Sequence, residues 1–236
     1  MCELAREKNG ESVILTFFPH PRLIIDPENQ RLKMINTIKE KAEILAQLGI
    51  DHLIITPFTR DFSNLNPEEY IKNILIDTIG TRALIVGYDH RFGKDRKGGM
   101  NELEACAKTY GYTIEEIAEQ DVNDVAVSST KIREALLAGR VALAASYLGY
   151  YFSIQGPVIK GDKIGRTIGF PTANIFVEET YKLIPSDGIY AVTIEMDPKH
   201  TTGNPKQATY KGMAYIGQRP TINGMTRNIE VNIFDF

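Results

Sequence analysis

Cysteine is scarce in this sequence: Cys2 and Cys106 are the only thiols in 236 residues. Two scattered thiols cannot form a disulfide framework, and they favour a reducing compartment. Long apolar runs are missing too; none approaches the ~18–20 residues that a membrane span requires. The opening segment MCELAREKNG is charged and has no apolar stretch, so it does not read as a signal peptide. These absences lead to the expectation of a cytoplasmic protein with no membrane partner. A basic excess is also lacking. The net charge is −3, with 18 Lys+Arg against 22 Asp+Glu in residues 1–150 and 9 against 8 in residues 151–236. Neither part has the cation surplus on which binding to a phosphate backbone depends, so no nucleic-acid partner is expected. No His/Cys/Asp spacing suggests zinc. With 43% hydrophobic and 24% charged residues, the composition is ordinary for a globular chain and excludes a disordered tail or a collagen-like fibre.

Residues up to about 146 alternate strand-like and helix-like segments. Ser12–Phe18 is a short β-branched apolar run, as in a strand buried on both faces. Met34–Leu48 carries Ile35, Ile38, Ala42, Leu45 and Leu48 at helical spacing, and Gly49 ends the pattern. His52–Ile55 reads as a strand. Pro67–Ile79 reads as a helix with Asn66 as its N-cap and Pro67 at its first position. Arg82–Gly87 and Thr113–Ile117 read as strands, Asn101–Tyr110 and Ser129–Leu137 as helices. Short strands separated by longer helices indicate a parallel α/β sheet.

The pattern changes near Tyr150. Phe152–Pro157, Gly188–Glu195 and Tyr210–Ile216 are short alternating runs between turn residues, which is a β-sandwich or barrel signature. The boundary is expected between Leu143 and Tyr151, giving domains 1–146 and 147–236. Both ends look like cuts inside domains. The chain opens in a helix-like CELAREK and stops in Glu230–Phe236, a strand-like run with nothing to end it.

Gly161–Asn174, GDKIGRTIGFPTAN, is the first segment suited to chemistry. Gly161, Gly165 and Gly169 allow close backbone approach to an anion, and Lys160, Lys163 and Arg166 add positive charge. In Pro171-Thr172-Ala173-Asn174, a hydroxyl and an amide oxygen two residues apart face the same side of an extended chain. Two neutral oxygens suit a hard cation such as Mg²⁺ that arrives on nucleotide phosphates. A glycine-rich turn leading into a strand is the plain structural alternative.

GRTIGFPTAN closely resembles the signature of riboflavin kinases, and further matches follow in order. They are Asp187-Gly188-Ile189-Tyr190-Ala191-Val192, then Gly212–Gly217 with Pro220-Thr221, then Arg227-Asn228-Ile229-Glu230. The resemblance implies that Thr172 and Asn174 help to bind Mg-nucleotide in a loop of Gly161, Lys163, Gly165, Arg166, Gly169 and Pro171. It further implies that Glu230 takes the proton from the riboflavin 5′-hydroxyl; taken singly, a strand glutamate is more often exposed and idle. The N-terminal part resembles the partner domain of bifunctional bacterial riboflavin kinase/FAD synthetases. Thr16-Phe17-Phe18-Pro19-His20-Pro21, Gly87-Tyr88-Asp89-His90-Arg91-Phe92-Gly93 and Val127-Ser128-Ser129-Thr130 with Arg133 carry that likeness. It implies a nucleotide/flavin site lined by Pro19, His20, Pro21, Gly87, Asp89, Arg91, Phe92, Gly93, Ser128, Ser129, Thr130 and Arg133. If Ser129 is the N-cap, Arg133 lies one turn on and can reach a phosphate at the helix start. The bland alternatives are a capped helix with a solvated arginine, and a loop histidine closing a turn at His20.

The fold implied is a Rossmann-like nucleotidyltransferase domain with a parallel sheet, followed by a riboflavin-kinase β-barrel. The reactions implied are phosphorylation of riboflavin to FMN and adenylylation of FMN to FAD, with ATP as co-substrate and Mg²⁺ as cofactor. Partners would be small-molecule substrates, with self-association left open. The family's Gly-x-Phe-Asp-Gly-x-His-x-Gly-His segment, which supplies charge-stabilising histidines on the first strand, is not in the sequence. A gap or exposed sheet edge and weak FAD synthesis are therefore expected. The alternative is a flavin- or nucleotide-binding fragment with impaired turnover.

Overall fold

The computed structural model describes residues 1–26, 28, 32–118, 121–122, 125–161, 165, 169–196, 209–221 and 224–235. The chain forms two compact units: Met1–Leu32 with Asn36–Ala126, and Lys33–Ile35 with Val127–Phe236. This division falls ahead of position 146 because two helices, at 129–137 and 141–148, pack into the C-terminal unit. There Ile132, Ala135, Leu136 and Ala144 are buried with Leu183.

The N-terminal unit runs α1 (Cys2–Glu7), β1 (Val13–Phe17), α2 (Pro21–Ile25), α3 (Ile38–Gln47), β2 (His52–Thr56) and α4 (Arg60–Ser63). It continues with α5 (Pro67–Glu69), a wider helical stretch Tyr70–Thr78, β3 (Ala83–Gly87), a 3₁₀ turn Lys94–Arg96, α6 (Met100–Tyr110), β4 (Thr113–Ile117) and the short antiparallel pair β5 (Asp121–Val122) and β6 (Val125–Ala126). β1 pairs with β2 in parallel, Leu15 opposite Ile54, and β3 pairs with β4 in parallel, Ile85 opposite Glu115. Among the described residues these are two separate parallel pairs. Ile71, Leu75, Val86, Phe92, Leu103 and Tyr112 form the buried core.

Two helices depart from their sequence patterns for local reasons. α3 starts at Ile38 rather than Met34 because Thr37 closes a capping box. Its Oγ1 accepts from the Glu40 N–H at 3.1 Å, and the Glu40 carboxylate accepts from the Thr37 N–H at 2.8 Å. Met34 instead forms a parallel bridge with Lys182 inside the C-terminal unit. Gly49, at φ 78°, ends the segment as expected. The expected Pro67–Ile79 helix is present, with Asn66 capping it, but from Tyr70 it winds as a π-helix. That winding brings residues five apart together: Lys72 Nζ meets Asp77 Oδ2 at 2.7 Å and Thr78 Oγ1 donates to the Asn73 carbonyl at 2.6 Å.

The C-terminal unit opens with α7 (Ser129–Leu137) and α8 (Val141–Leu148) and continues with β7 (Val158–Ile159), β8 (Ala173–Ile175), β9 (Gly188–Glu195), β10 (Thr209–Thr221) and β11 (Gly224–Ile233). The strands form one antiparallel sheet in the order β7-β8-β11-β10-β9. Among the described residues this order is open at β7 and β9. Phe152–Pro157 is not a strand, and pairing begins only at Val158. Here Phe152 packs on the helical core, with Lys182 Nζ 4.3 Å from its ring centroid and donating to the Ile35 carbonyl at 2.8 Å. β11 extends Glu230–Phe236 back to Gly224 and ends at Ile233.

The capping box at Thr37 is buried, so its loss cannot be compensated readily by water. Thr37→Ala is expected to lower unfolding free energy by about 1 kcal/mol, read as a lower urea midpoint with an unchanged slope; an unaltered midpoint would show that the box does not hold the start of α3.

Candidate active site

Antiparallel registry aligns one row of residues across the C-terminal sheet. Ile159 lies opposite Asn174, Asn174 opposite Glu230, Glu230 opposite Tyr215, and Tyr215 opposite Ile189. Directly paired residues share a face, so all five side chains project to the same side. Ala214, Ile216, Ile229 and Val231 alternate with them and are buried on the other face. The row has a polar centre, Asn174 and Glu230, flanked by the exposed apolar groups Ile159, Tyr215 and Ile189. Glu230 itself is only 7% exposed, so it is not an exposed strand glutamate.

The glycine-rich segment covers that centre. Thr172 Oγ1 donates to Glu230 Oε2 at 3.2 Å. Asn232, two residues beyond Glu230 and on its face, donates from Nδ2 to the Pro171 carbonyl at 2.8 Å. Strand β11 thus holds the Pro171–Thr172 corner at two points. Gly161 lies against the Asn174 amide; a Cβ there would sit 2.3 Å from Nδ2, so a side chain at 161 would displace the amide. Gly165 accepts from the Phe170 N–H at 2.8 Å, and Gly169 turns the chain at φ 84°. Gly161, Gly165, Pro171, Thr172, Asn174 and Glu230 are therefore brought together as the sequence suggested, whereas Lys163 and Arg166 lie outside the described residues. At the strand's other end, Arg227 Nε donates to Asp187 Oδ1 at 2.9 Å, and its NH2 group donates to the Pro185 carbonyl. This ties Asp187, immediately before β9, to the strand that bears Glu230.

In the N-terminal unit, the expected site residues cluster at the carboxyl ends of β1 and β3. Pro19 is exposed, and His20 caps α2, its Nδ1 accepting from the Arg22 N–H at 3.2 Å with Pro21 at the first helical position. The turn-closing role of His20 is therefore realised. Gly87 at the end of β3 and Asp89 and Arg91 beyond it are exposed, Phe92 enters the core, and Gly93 adopts φ 69°. An aromatic chain links the two strand ends: Phe17–Phe62 at 5.1 Å, Phe62–Tyr70 at 6.0 Å, Tyr70–Phe92 at 5.3 Å and Phe92–His90 at 5.6 Å between centroids. Burial pushes the Tyr70 phenol up to about 12. His90, given no role from sequence, stacks on Phe92 at 24°; desolvation lowers its pKa from 6.5, opposed by Asp89 and helped by Arg96.

The serine-rich segment belongs to the other compact unit. Ser128, not Ser129, is the N-cap of α7, its Oγ accepting from the Lys131 N–H at 3.3 Å. β-Region geometry at Ser128, ψ 154°, decides this, since the cap must precede the first helical residue. Ser128, Ser129 and Thr130 are exposed. Arg133 is half-buried rather than solvated, with Nε donating to the Lys33 carbonyl at 2.9 Å.

Comparison with known proteins matches both halves of this arrangement. The FAD synthetase family profile matches residues 1–131, and the riboflavin kinase profile matches residues 148–236. A bifunctional riboflavin kinase/FMN adenylyltransferase from Listeria monocytogenes is 36% identical over 99% of this chain and 71% of its own length. The chain belongs to the bifunctional riboflavin kinase/FMN adenylyltransferase family. The Escherichia coli K12 and Bacillus subtilis members are 33% and 34% identical, each over 99% of this chain and 71% of their own length. A solved structure from Streptococcus pneumoniae, named a macrolide-efflux protein, is 29% identical with a TM-score of 0.84 over 99% of this chain and 72% of its own. Among the described residues no helix is long and apolar enough to cross a membrane.

Sequence reasoning missed Asn232 and the Asp187–Arg227 pair. Asn232 was findable from its spacing of two from Glu230. The ion pair was not, because 40 residues separate its partners. The His90 stack gives a direct check on the N-terminal site. Because the folded state binds the His90 proton less tightly than the unfolded chain, stability should fall as the pH drops past 6.5. An NMR titration should place the His90 midpoint below 6.5; a midpoint at or above it would contradict the desolvation of its imidazole.

Proposed function

We propose that this chain carries both reactions for which its relatives are named, with residues 147–236 phosphorylating riboflavin to FMN and residues 1–146 adenylylating FMN to FAD. The observation that carries the kinase half is the contact of Thr172 Oγ1 with a buried Glu230 at 3.2 Å, beside Asn174 in register. A recessed carboxylate at the end of a phosphate-accommodating loop is suited to accept a proton from an attacking hydroxyl. In that step the riboflavin 5′-oxygen forms a bond to the γ-phosphorus of ATP. The bond to the β-phosphate oxygen breaks, ADP leaves, and the hydroxyl proton passes to the Glu230 carboxylate. Alignment and charge neutralisation are what such a transfer chiefly needs. The exposed apolar groups Ile159, Ile189 and Tyr215, flanking the polar pair, suit the flat apolar ring of a flavin.

The donor set also fits a magnesium ion. The Thr172 hydroxyl and the Asn174 amide oxygen are hard neutral donors, and no group of three His, Cys, Asp or Glu that could hold a metal exists among the described residues. Such an ion would be held by Thr172 and Asn174 and completed by nucleotide oxygens; when bound it neutralises phosphate charge. Gly161, Gly165, Gly169 and Pro171, with Lys163 and Arg166, complete the nucleotide loop in this reading.

For the second reaction, a phosphate oxygen of FMN attacks the α-phosphorus of ATP and pyrophosphate leaves. Pro19, His20 and Pro21 after β1, and Gly87 at the end of β3 with Asp89, Arg91, Phe92 and Gly93 beyond it, are proposed to line its site. Carboxyl ends of parallel strands are where open α/β sheets take ligands. Ser128, Ser129, Thr130 and Arg133 are assigned to the same nucleotide/flavin-binding role, supported by the exposed hydroxyls at the start of α7. A cytoplasmic location is part of the proposal, supported by two free cysteines.

Incubation of the chain with riboflavin, ATP and Mg²⁺, resolved by chromatography, should yield FMN and only weak FAD, because the charge-stabilising histidine segment is not in the sequence. Glu230→Gln should lower FMN formation roughly 100-fold or more while leaving the melting temperature close to that of the parent. Full activity in Glu230→Gln would refute its role as base, and saturable flavin binding without either product would select the binding-only alternative.

A further inference from the structure

Lys41, on α3, is the least explained cation of the N-terminal unit. Its Nζ donates to Thr16 Oγ1 at 3.1 Å, and the side chain is half-buried. Thr16 is the penultimate residue of β1. Leu15 packs against the buried core and Phe17 joins the aromatic chain, so strand alternation places Thr16 on the opposite face, toward α3. Desolvation lowers the Lys41 pKa, with no opposing carboxylate among its causes. Among the described residues no carboxylate lies within ion-pair distance of Nζ, and Thr16 is its one hydrogen-bond partner.

An ammonium carries three N–H donors, and one goes to a neutral hydroxyl. Withdrawing such a group from water without a counter-charge is unfavourable unless an anion completes it. The first turn of α3 does not compete for that anion, because Thr37 and Glu40 already cap it. The position is informative as well. Thr16 immediately precedes the carboxyl end of β1, where the chain enters Phe18-Pro19-His20-Pro21. If the N-terminal unit adenylylates FMN, as proposed above, every anion in its reaction is a phosphate: the triphosphate of ATP, the pyrophosphate released, or the monophosphate of FMN.

We infer that Lys41, oriented by Thr16, binds a phosphate group of the ligand in the N-terminal unit. Lys41 is then a phosphate-binding residue and Thr16 a positioning residue.

Residue-resolved amine labelling of the whole chain, read by mass spectrometry, tests this directly. Lys39, exposed on the same helix, is the internal reference. Pyrophosphate, ATP and FMN are added separately. Protection of Lys41 by about fivefold or more, with Lys39 unchanged, is the expected result. Protection by pyrophosphate and ATP identifies the nucleotide as the source, and protection by FMN alone identifies the flavin phosphate. Because the readout is local, ligand bound in the kinase unit does not register. A chain that makes FAD but shows no protection overturns the role of Lys41 alone. A chain that neither makes FAD nor protects Lys41 overturns the adenylylation reading along with it. As a second measurement, Lys41→Gln should weaken pyrophosphate binding roughly tenfold or more, with Lys41→Arg largely retaining it and both melting near the parent. Equal affinity in Lys41→Gln would also reject the proposal.

Discussion

A carboxylate that is 7% exposed loses most of its hydration, and the C-terminal unit is organised around keeping one there. Glu230 sits at the middle of a five-stranded sheet, with Asn174 and Tyr215 as its lateral neighbours. Thr172 reaches it from above, and Asn232 fixes the corner from which Thr172 projects. The glycine at 161 leaves the Asn174 amide in place, since a side chain there would displace it. Even the Asp187–Arg227 pair serves the strand that bears Glu230. Remove the carboxylate and most of these particular residue choices lose their physical reason.

The N-terminal unit shows a different kind of organisation. Its proposed ligand-binding residues stand at the ends of two parallel strand pairs, and an aromatic chain from Phe17 to His90 spans the distance between them. Aromatic edges and faces supply rigid, largely apolar contacts at those ends. The π-winding of Tyr70–Thr78 belongs to this arrangement, because Tyr70 stands at its start and packs between Phe62 and Phe92. Both proposed sites thus sit at strand ends or on a strand face, with rigid packing behind them.

Much of this was legible in advance, for identifiable reasons. Gly188–Glu195 and Thr113–Ile117 appear with their expected bounds; in the first, burial alternates along the strand with a period of two. The Thr172–Asn174–Glu230 grouping was legible from motif order. Helix starts were less so. Met34 and Ile35 fit the helical period of α3, yet they join the C-terminal unit, and a capping box decided the start instead. Ser128 and Ser129 are chemically equal candidates for a cap, and only backbone geometry separates them. Phe152–Pro157 alternates like a strand but finds no partner strand, and Phe152 packs on helices instead.

What the sequence by itself determined was local: which segments are extended or helical, which loop can approach a phosphate, and which residue types are present to do chemistry. Those properties depend on neighbours within a few positions, where side-chain period and turn chemistry act. The tertiary structure decided what depends on distant partners. Glu230 becomes a buried group only when residue 172, 58 positions earlier, is laid over it. Arg133 becomes a brace on Lys33, 100 positions away, instead of a solvated charge. Lys41 becomes a half-buried cation only when α3 brings it to Thr16 of β1. Burial and charge pairing are properties of the space around a side chain, and folding creates that space.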